Sequence, residues 1–230
     1  MGVIPNGNGT TVSNKPITEI RTDIYYVVIM IDASHPEKAL IKTLDGSTAH
    51  NPIAEPGHAL HYVVKNGIIQ SVLSFGPSSA AAAAIGPATA DCTMKNMVYA
   101  FKYNLTKVKA EKLIEETNSW RNLITNGSIF SKEGRIVYSG VTNDTCAETM
   151  LQILRPYVPE LPKGKGKGKT GTYYVYIRAV TPYWLFEDYK KAGAPYKVYP
   201  RSSKRYTTED PNKLLKEYVP QKGEEDPVQW

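Results

Sequence analysis

The chain has 230 residues, of which 41% are hydrophobic and 22% charged, and this composition is typical of an ordinary globular protein with one substantial core. Its 2 cysteines are too few for the disulfide framework of a small secreted protein. The apolar run at residues 24–31 is far shorter than the roughly 20 residues that a membrane-spanning helix requires.

The N-terminal part of the chain predicts a tail followed by a sheet. Residues 1–22 are polar and lack the charged and then apolar pattern of a signal peptide, so we expect a flexible tail on a chain made in the cytoplasm. Residues 24–31 are nearly all β-formers, which predicts a central strand covered on both faces. Two strand-like runs, 57–64 and 67–75, flank Asn66-Gly67, a strong hairpin signal.

The rest of the chain predicts both helices and strands. The alanine-rich residues 78–90 predict a short helix or a loop, and residues 97–103 alternate as in a strand. Helical spacing follows at 106–121, an aromatic β-run at 172–179, and a helix at 181–192 that begins with a favourably placed proline. This order predicts an α+β domain, an antiparallel sheet packed against helices, at residues 23–200. The charged residues 201–230 are expected to form a C-terminal tail.

Part of the net charge of +6 lies in an alternating Gly/Lys run at residues 163–169. Glycine alternation favours a solvated loop, and an anionic surface is a partner that its lysines could contact: Lys163, Lys165, Lys167 and Lys169. The run has neither the spacing nor the preceding strand of a phosphate-binding loop. Because the sequence lacks a combined aromatic and basic pattern, we expect no sequence-specific nucleic-acid binding.

A candidate nucleophile stands at a predicted helix start. Thr145 and Glu148 have the spacing of a capping box, which places Cys146 at the first helical position. The positive end of a helix dipole favours a thiolate there. The apolar face of this helix is predicted to comprise Ala147, Met150, Leu151 and Leu154. The alternative interpretation is that Cys146 is a small apolar residue in a buried helix start.

A cysteine nucleophile needs a base, and the chain has 4 histidines. His35 and His50 stand in polar, turn-rich segments and are expected at the surface. His58 and His61 share a predicted strand but face opposite sides, since their separation is odd. His58 begins this strand after a glycine, where a side chain borders a cleft, whereas His61 stands among apolar residues and is expected to be structural.

Cys92 is a second candidate nucleophile. It is not followed by a clear amphipathic helix, so we expect it to be structural or incidental. The sequence shows no paired histidines or Cys-x-x-Cys at metal-ligand spacing. We therefore expect neither a metal nor another cofactor.

Four segments in order carry a family resemblance. They are Gly57-His58-Ala59 with Ser-Phe-Gly-Pro at 74–77, the strand and helix start at 99–106, the approach to the cysteine at 138–146, and residues 181–189. Together they resemble the circularly permuted NlpC-type papain-like cysteine hydrolases of bacteria, in which histidine precedes cysteine. The resemblance covers roughly residues 25–191. It departs from the family at 144–145, which separate Asn143 from Cys146, where the family often has asparagine directly before the cysteine.

The resemblance implies a papain-like fold and a set of catalytic roles. Cys146 would be the nucleophile, on a helix packed against the sheet, and His58 the general base. The third, orienting residue is a polar side chain on the strand after the histidine strand, with Gln70 as the best match and Ser71 and Ser74 as alternatives. The backbone N–H of Cys146 would help to hold the oxyanion.

The resemblance also implies a substrate and a setting. The expected reaction is cleavage of an amide bond, most often in a peptidoglycan peptide, through an acyl-enzyme. Without a signal peptide, such a protein is similar to antibacterial effectors of type VI secretion, which act in the periplasm of a target cell. An immunity protein and a secretion-apparatus carrier would then be partners. Two alternatives stay open: a lipid acyltransferase or thioesterase of the same fold, and a non-catalytic binding domain with a remnant site.

Overall fold

A computed structural model describes residues 22–32, 40–42, 48–50, 57–79, 82, 85–93, 98–126, 137–139, 145–162, 168–170, 175–177, 182–199, 219–228 and 230. Within these residues the fold is α+β, as the order of predicted elements indicates. The strands are β1 (Tyr25–Asp32), β2 (Leu40–Lys42), β3 (Thr48–His50), β4 (His58–Lys65), β5 (Ile68–Leu73), β6 (Gly76–Pro77), β7 (Ile85–Thr89), β8 (Val98–Leu105), β9 (Val137–Ser139), β10 (Gly168–Thr170), β11 (Val175–Ile177) and β12 (Tyr196–Tyr199). The helices are α1 (Lys107–Asn126), α2 (Cys146–Leu154) and α3 (Pro182–Lys191).

The main sheet has five antiparallel strands in the order β12-β8-β1-β4-β5. β1 is central, since it pairs with β4 on one side and with β8 on the other. All eight residues of β1 are buried. This confirms the strand covered on both faces that the continuous run of β-formers predicts.

The predicted hairpin between β4 and β5 is also present. Its turn residues Asn66 and Gly67 have φ angles of 51° and 81°, in the left-handed region that this tight turn needs. Asn66 also ties the turn to the start of β1, because its Oδ1 accepts a hydrogen bond of 2.8 Å from the N–H of Ile24. The turn therefore helps to hold β4 in register with β1.

The three helices pack with one face of the sheet into the larger apolar core. α2 begins at Cys146, the position that the capping-box spacing predicts, and the Thr145 hydroxyl accepts the N–H of Glu148 at 3.1 Å. α1 and α3 also lie where the sequence predicts helices. Core residues from the sheet and the helices include Val27, Ile29, Val63, Leu73, Phe101, Leu113, Met150, Leu151, Leu154 and Leu185.

The other face of the sheet is covered in part by the C-terminal residues. Val219 and Val228 are buried in a second apolar cluster with β1, β4 and β5, and Trp230 packs against it. Asp226 anchors this segment, because its carboxylate accepts the hydroxyls of Tyr26 and Tyr62, each at 2.7 Å. The expected C-terminal tail thus has a docked end at 219–228 and 230, while residues 201–218 lie outside the described ones.

Residues 85–89 differ from the prediction for the alanine-rich segment. They form the strand β7, which pairs with β6 and with β9, in place of a short helix or a loop. Its partner β9 comes from a distant position in the chain, so local composition did not indicate this strand. In the Gly/Lys run, residues 168–170 form β10, which pairs with β11, and residues 163–167 lie outside the described ones.

We predict that Asp226→Ala destabilises the fold by about 2–4 kcal/mol, because two buried tyrosine hydroxyls lose their charged acceptor. Urea unfolding would measure the change in the free energy of unfolding. Glu225→Ala is the matched control, since Glu225 is an exposed carboxylate next in the chain. Equal effects of the two substitutions would contradict this role of Asp226.

Candidate active site

His58 and Ser74 meet where β4 begins and just after β5 ends. The Nε2 atom of His58 lies 2.8 Å from the Oγ atom of Ser74, and both side chains are buried. The hydroxyl of Ser74 donates a short hydrogen bond to the backbone carbonyl of Cys92. The three groups therefore form a chain from imidazole to hydroxyl to carbonyl.

This chain determines which nitrogen of His58 carries the proton. A hydroxyl has one hydrogen to donate, and Ser74 donates it to the Cys92 carbonyl. The Ser74 oxygen must then accept the hydrogen of His58 Nε2. The neutral ring consequently has its lone pair on Nδ1, so Nδ1 is the nitrogen that can accept a proton.

Cys146 lies against the start of β4, at Ala59, the residue that follows His58 in the chain. The backbone N–H groups of Ala59, Ala147 and Cys146 itself lie near its sulfur and favour the thiolate. Only 3% of the residue is exposed. Burial raises the pKa of the thiol to about 12, and the neighbouring Cys92 adds to this, although the three N–H groups oppose it.

Cys92 also lies near the imidazole of His58. Its sequence context does not indicate this position. A Cβ atom built on Gly76 would come 2.5 Å from Cys92 Sγ and 3.5 Å from His58 Cε1. A glycine is therefore required at position 76 for the second thiol to approach the ring. Cys92 is half-buried, and both cysteines are thiols rather than a disulfide.

The buried site favours uncharged groups. Burial lowers the pKa of His58 from 6.5 to about 4, so the imidazole is neutral at pH 7. Cys146, with its raised pKa, is a neutral thiol at the same pH. The resting pair is thus thiol and imidazole rather than thiolate and imidazolium.

Of the three candidates for the orienting residue, Ser74 is the one that contacts His58. Gln70, the best match by resemblance, is the extra residue of a bulge in β5, because Val63 pairs with Ser71 while Val64 pairs with Ile69. Its amide donates to the Ile68 carbonyl at 2.9 Å. Ser71 is buried, and its hydroxyl has no hydrogen-bond partner among the described residues.

The remaining histidines lie elsewhere. His61 is on the opposite face of β4, as the odd separation predicts, and its Nε2 lies 3.0 Å from the Thr117 hydroxyl on α1. His50 ends β3. His35 and the 142–144 segment, which includes Asn143, lie outside the described residues. Asp32, which the sequence patterns did not single out, is buried at the end of β1 as the register partner of His58.

The described residues contain no group of three or more His, Cys, Asp or Glu side chains that could hold a metal ion. Among the helices described, none is long and apolar enough to cross a membrane. Comparison with known proteins finds no matching family model, curated protein or solved structure.

We predict that the fold loses stability in acid because His58 and His61 are buried and neutral. Burial lowers their pKa values from 6.5 to about 4 and about 3, so below pH 6.5 the unfolded chain binds more protons. This contribution to stability is complete above about pH 6.5, decreases as the pH falls, and is lost through the folded pKa values. Each histidine contributes on the order of 3 kcal/mol.

Urea unfolding of the wild-type protein and of His61→Leu near neutral pH and at mildly acidic pH would measure this effect. The free energy of unfolding of the wild type should decrease in acid, and that of His61→Leu should decrease about half as much. An equal decrease in both proteins would show that His61 does not resist protonation.

Proposed function

We propose that the protein is a cysteine hydrolase in which Cys146 attacks an amide carbonyl and His58 is the general base. The observation that carries the proposal is the contact of His58 with Ser74. It holds the Nε2–H tautomer and leaves Nδ1 as the basic nitrogen of a histidine whose neighbour in the chain, Ala59, lies beside Cys146.

The reaction follows from these protonation states. His58 Nδ1 takes the proton of the Cys146 thiol as the sulfur attacks the carbonyl carbon. The imidazolium then donates this proton to the leaving amine, and the C–N bond breaks to give a thioester. Water attacks the thioester, again with Nδ1 as the base, and releases the acid product and the thiol. Ser74 accepts the Nε2–H throughout and stabilises the transient imidazolium.

The N-terminus of α2 supplies donors for the developing oxyanion. The backbone N–H groups of Cys146 and Ala147 are free of intrahelical partners at the start of α2 and lie near the sulfur, and the dipole of α2 favours negative charge there. A tetrahedral carbon bonded to this sulfur would place its oxygen within reach of the same donors. The Cys146 N–H is the donor that the resemblance implies.

The family and substrate proposals rest on the resemblance to permuted NlpC-type papain-like hydrolases. A chain order of histidine, polar residue and cysteine, with the cysteine starting a helix that packs on the histidine strand, is compatible with that class. We propose a peptidoglycan peptide as the substrate and action as a type VI secretion effector in the periplasm of a target cell. An immunity protein would then be a partner in the producing cell.

One observation favours a second candidate, a binding domain with a remnant site. The Cys146 thiol is 3% exposed and its pKa is raised, so substrate can reach the sulfur only after neighbouring groups move. The third candidate, a lipid acyltransferase or thioesterase, would use the same thioester chemistry. Activity measurements separate the three.

We predict that Cys146→Ala lowers the hydrolysis of purified peptidoglycan by about 1000-fold or more, because the nucleophile is removed. Released amines and peptides would be quantified by mass spectrometry, with phospholipid vesicles assayed in parallel. Cys92→Ala is the matched control, and it should retain measurable hydrolysis. Full activity of Cys146→Ala, or loss of activity in Cys92→Ala alone, would contradict the assignment. Release of fatty acids without amide cleavage would favour the lipid enzyme.

We predict that Ser74→Ala lowers kcat by roughly 100-fold with a smaller change in KM, because the imidazole loses the partner that selects its tautomer. Ser71→Ala is the matched control, since Ser71 is a buried serine near the same strand end without a contact to His58. Its kcat should remain close to that of the wild type. Equal losses in the two variants would indicate a general effect on packing.

A further inference from the structure

The segment 90–92 runs beside Ser74 and holds it by backbone hydrogen bonds. The N–H of Ser74 donates to the Ala90 carbonyl at 3.0 Å, and the N–H of Cys92 donates to the Ser74 carbonyl at 2.9 Å. The Cys92 carbonyl in turn receives the Ser74 hydroxyl. The position of this one carbonyl therefore decides where the hydroxyl proton of Ser74 goes.

The same segment is tied to α1 by Arg121. Its Nη2 atom lies 2.6 Å from Asp91 Oδ1 and 2.7 Å from Oδ2, and its Nη1 atom lies 3.4 Å from the Ala90 carbonyl. One guanidinium thus contacts both the side chain of Asp91 and the main chain before it. The ion pair is partly exposed, with 33% of the arginine side chain and 47% of the aspartate side chain accessible.

We propose that the Arg121–Asp91 pair is a positioning device that fixes the His58 tautomer through the Cys92 carbonyl and the Ser74 hydroxyl. The proposal rests on the proposed function, in which His58 Nδ1 is the base. Arg121 does not touch the reacting atoms. It acts by holding the carbonyl in place.

The physical argument concerns one proton. If the Cys92 carbonyl moves away, the Ser74 hydroxyl can turn and donate to His58 Nε2 instead. The imidazole proton then resides on Nδ1, and this tautomer cannot accept a proton from a thiol at that nitrogen. A partly exposed ion pair adds little to stability, so its main consequence is expected at the site rather than in the free energy of unfolding.

The test is nitrogen NMR of the full-length, ¹⁵N-labelled protein near pH 7, where His58 is neutral. Long-range couplings between ring protons and nitrogens report which nitrogen carries the hydrogen, and His58→Gln identifies the signals. The wild type should show His58 as the Nε2–H tautomer. Arg121→Gln should increase the ratio of Nδ1–H to Nε2–H by about fivefold, the change expected for the loss of one buried hydrogen bond.

Matched variants distinguish positioning from a general loss of structure. Lys107→Gln removes another ion pair of α1, with Glu111, and should leave the tautomer unchanged. Asp91→Asn should reproduce the effect of Arg121→Gln. The double variant should show no further change, because each substitution alone already breaks the same ion pair. Arg121→Lys keeps the charge but not the two-nitrogen contact, and it should shift the tautomer less than Arg121→Gln does.

An unchanged His58 tautomer in folded Arg121→Gln or Asp91→Asn would overturn the proposal. Thermal unfolding of each variant verifies that it is folded. If Arg121→Gln does not fold, Asp91→Asn provides the same test. The measurement needs no substrate, so its outcome is separate from that of the proposed function. A shifted tautomer in a protein without hydrolase activity would uphold the positioning role and contradict the hydrolase.

Discussion

The fold depends on one constraint. Because β1 is apolar on both faces, other parts of the chain must cover both faces of the sheet. The helices cover one face, and the C-terminal residues with Val219 and Val228 cover part of the other. Water is excluded from both sides of β4 as a result, and this strand carries His58 and His61. The low pKa values of both histidines follow from this burial. The same packing buries Cys146 at the start of α2 and keeps its thiol neutral.

A site without charged resting groups must be organised by hydrogen bonds. Ser74 hydrogen-bonds to the His58 ring, and the Cys92 carbonyl accepts the Ser74 hydroxyl. That carbonyl belongs to a segment that Arg121 holds through Asp91. Each hydrogen bond has one donor and one acceptor. Because the Ser74 hydroxyl donates to the Cys92 carbonyl, it must accept from the imidazole, and this determines the tautomer. In such an arrangement the position of the imidazole hydrogen is set before any charge is formed.

Local elements were predictable because their signals are local. The continuous β-formers of β1, the Asn66-Gly67 turn and the cap at Thr145 each act within a few residues, and the structure has all three. β7 and the docked C-terminal end were not predictable in the same way. β7 pairs with β9, and Asp226 binds tyrosines of β1 and β4, and these partners lie far away in the chain. Such pairings have no local composition that marks them.

By itself, the sequence determined the α+β class, the helix start at Cys146 and the strand that carries His58, since hydrophobic period and capping chemistry are properties of short segments. Only the tertiary structure decided what His58 contacts. The bulge at Gln70 shifts the β4–β5 register by one residue, which brings Ser74 rather than Ser71 to the face of His58. It also brought Cys92 to the imidazole, through Gly76 and the backbone bonds of Ser74. A side chain's face depends on register, and register is settled by pairing between strands.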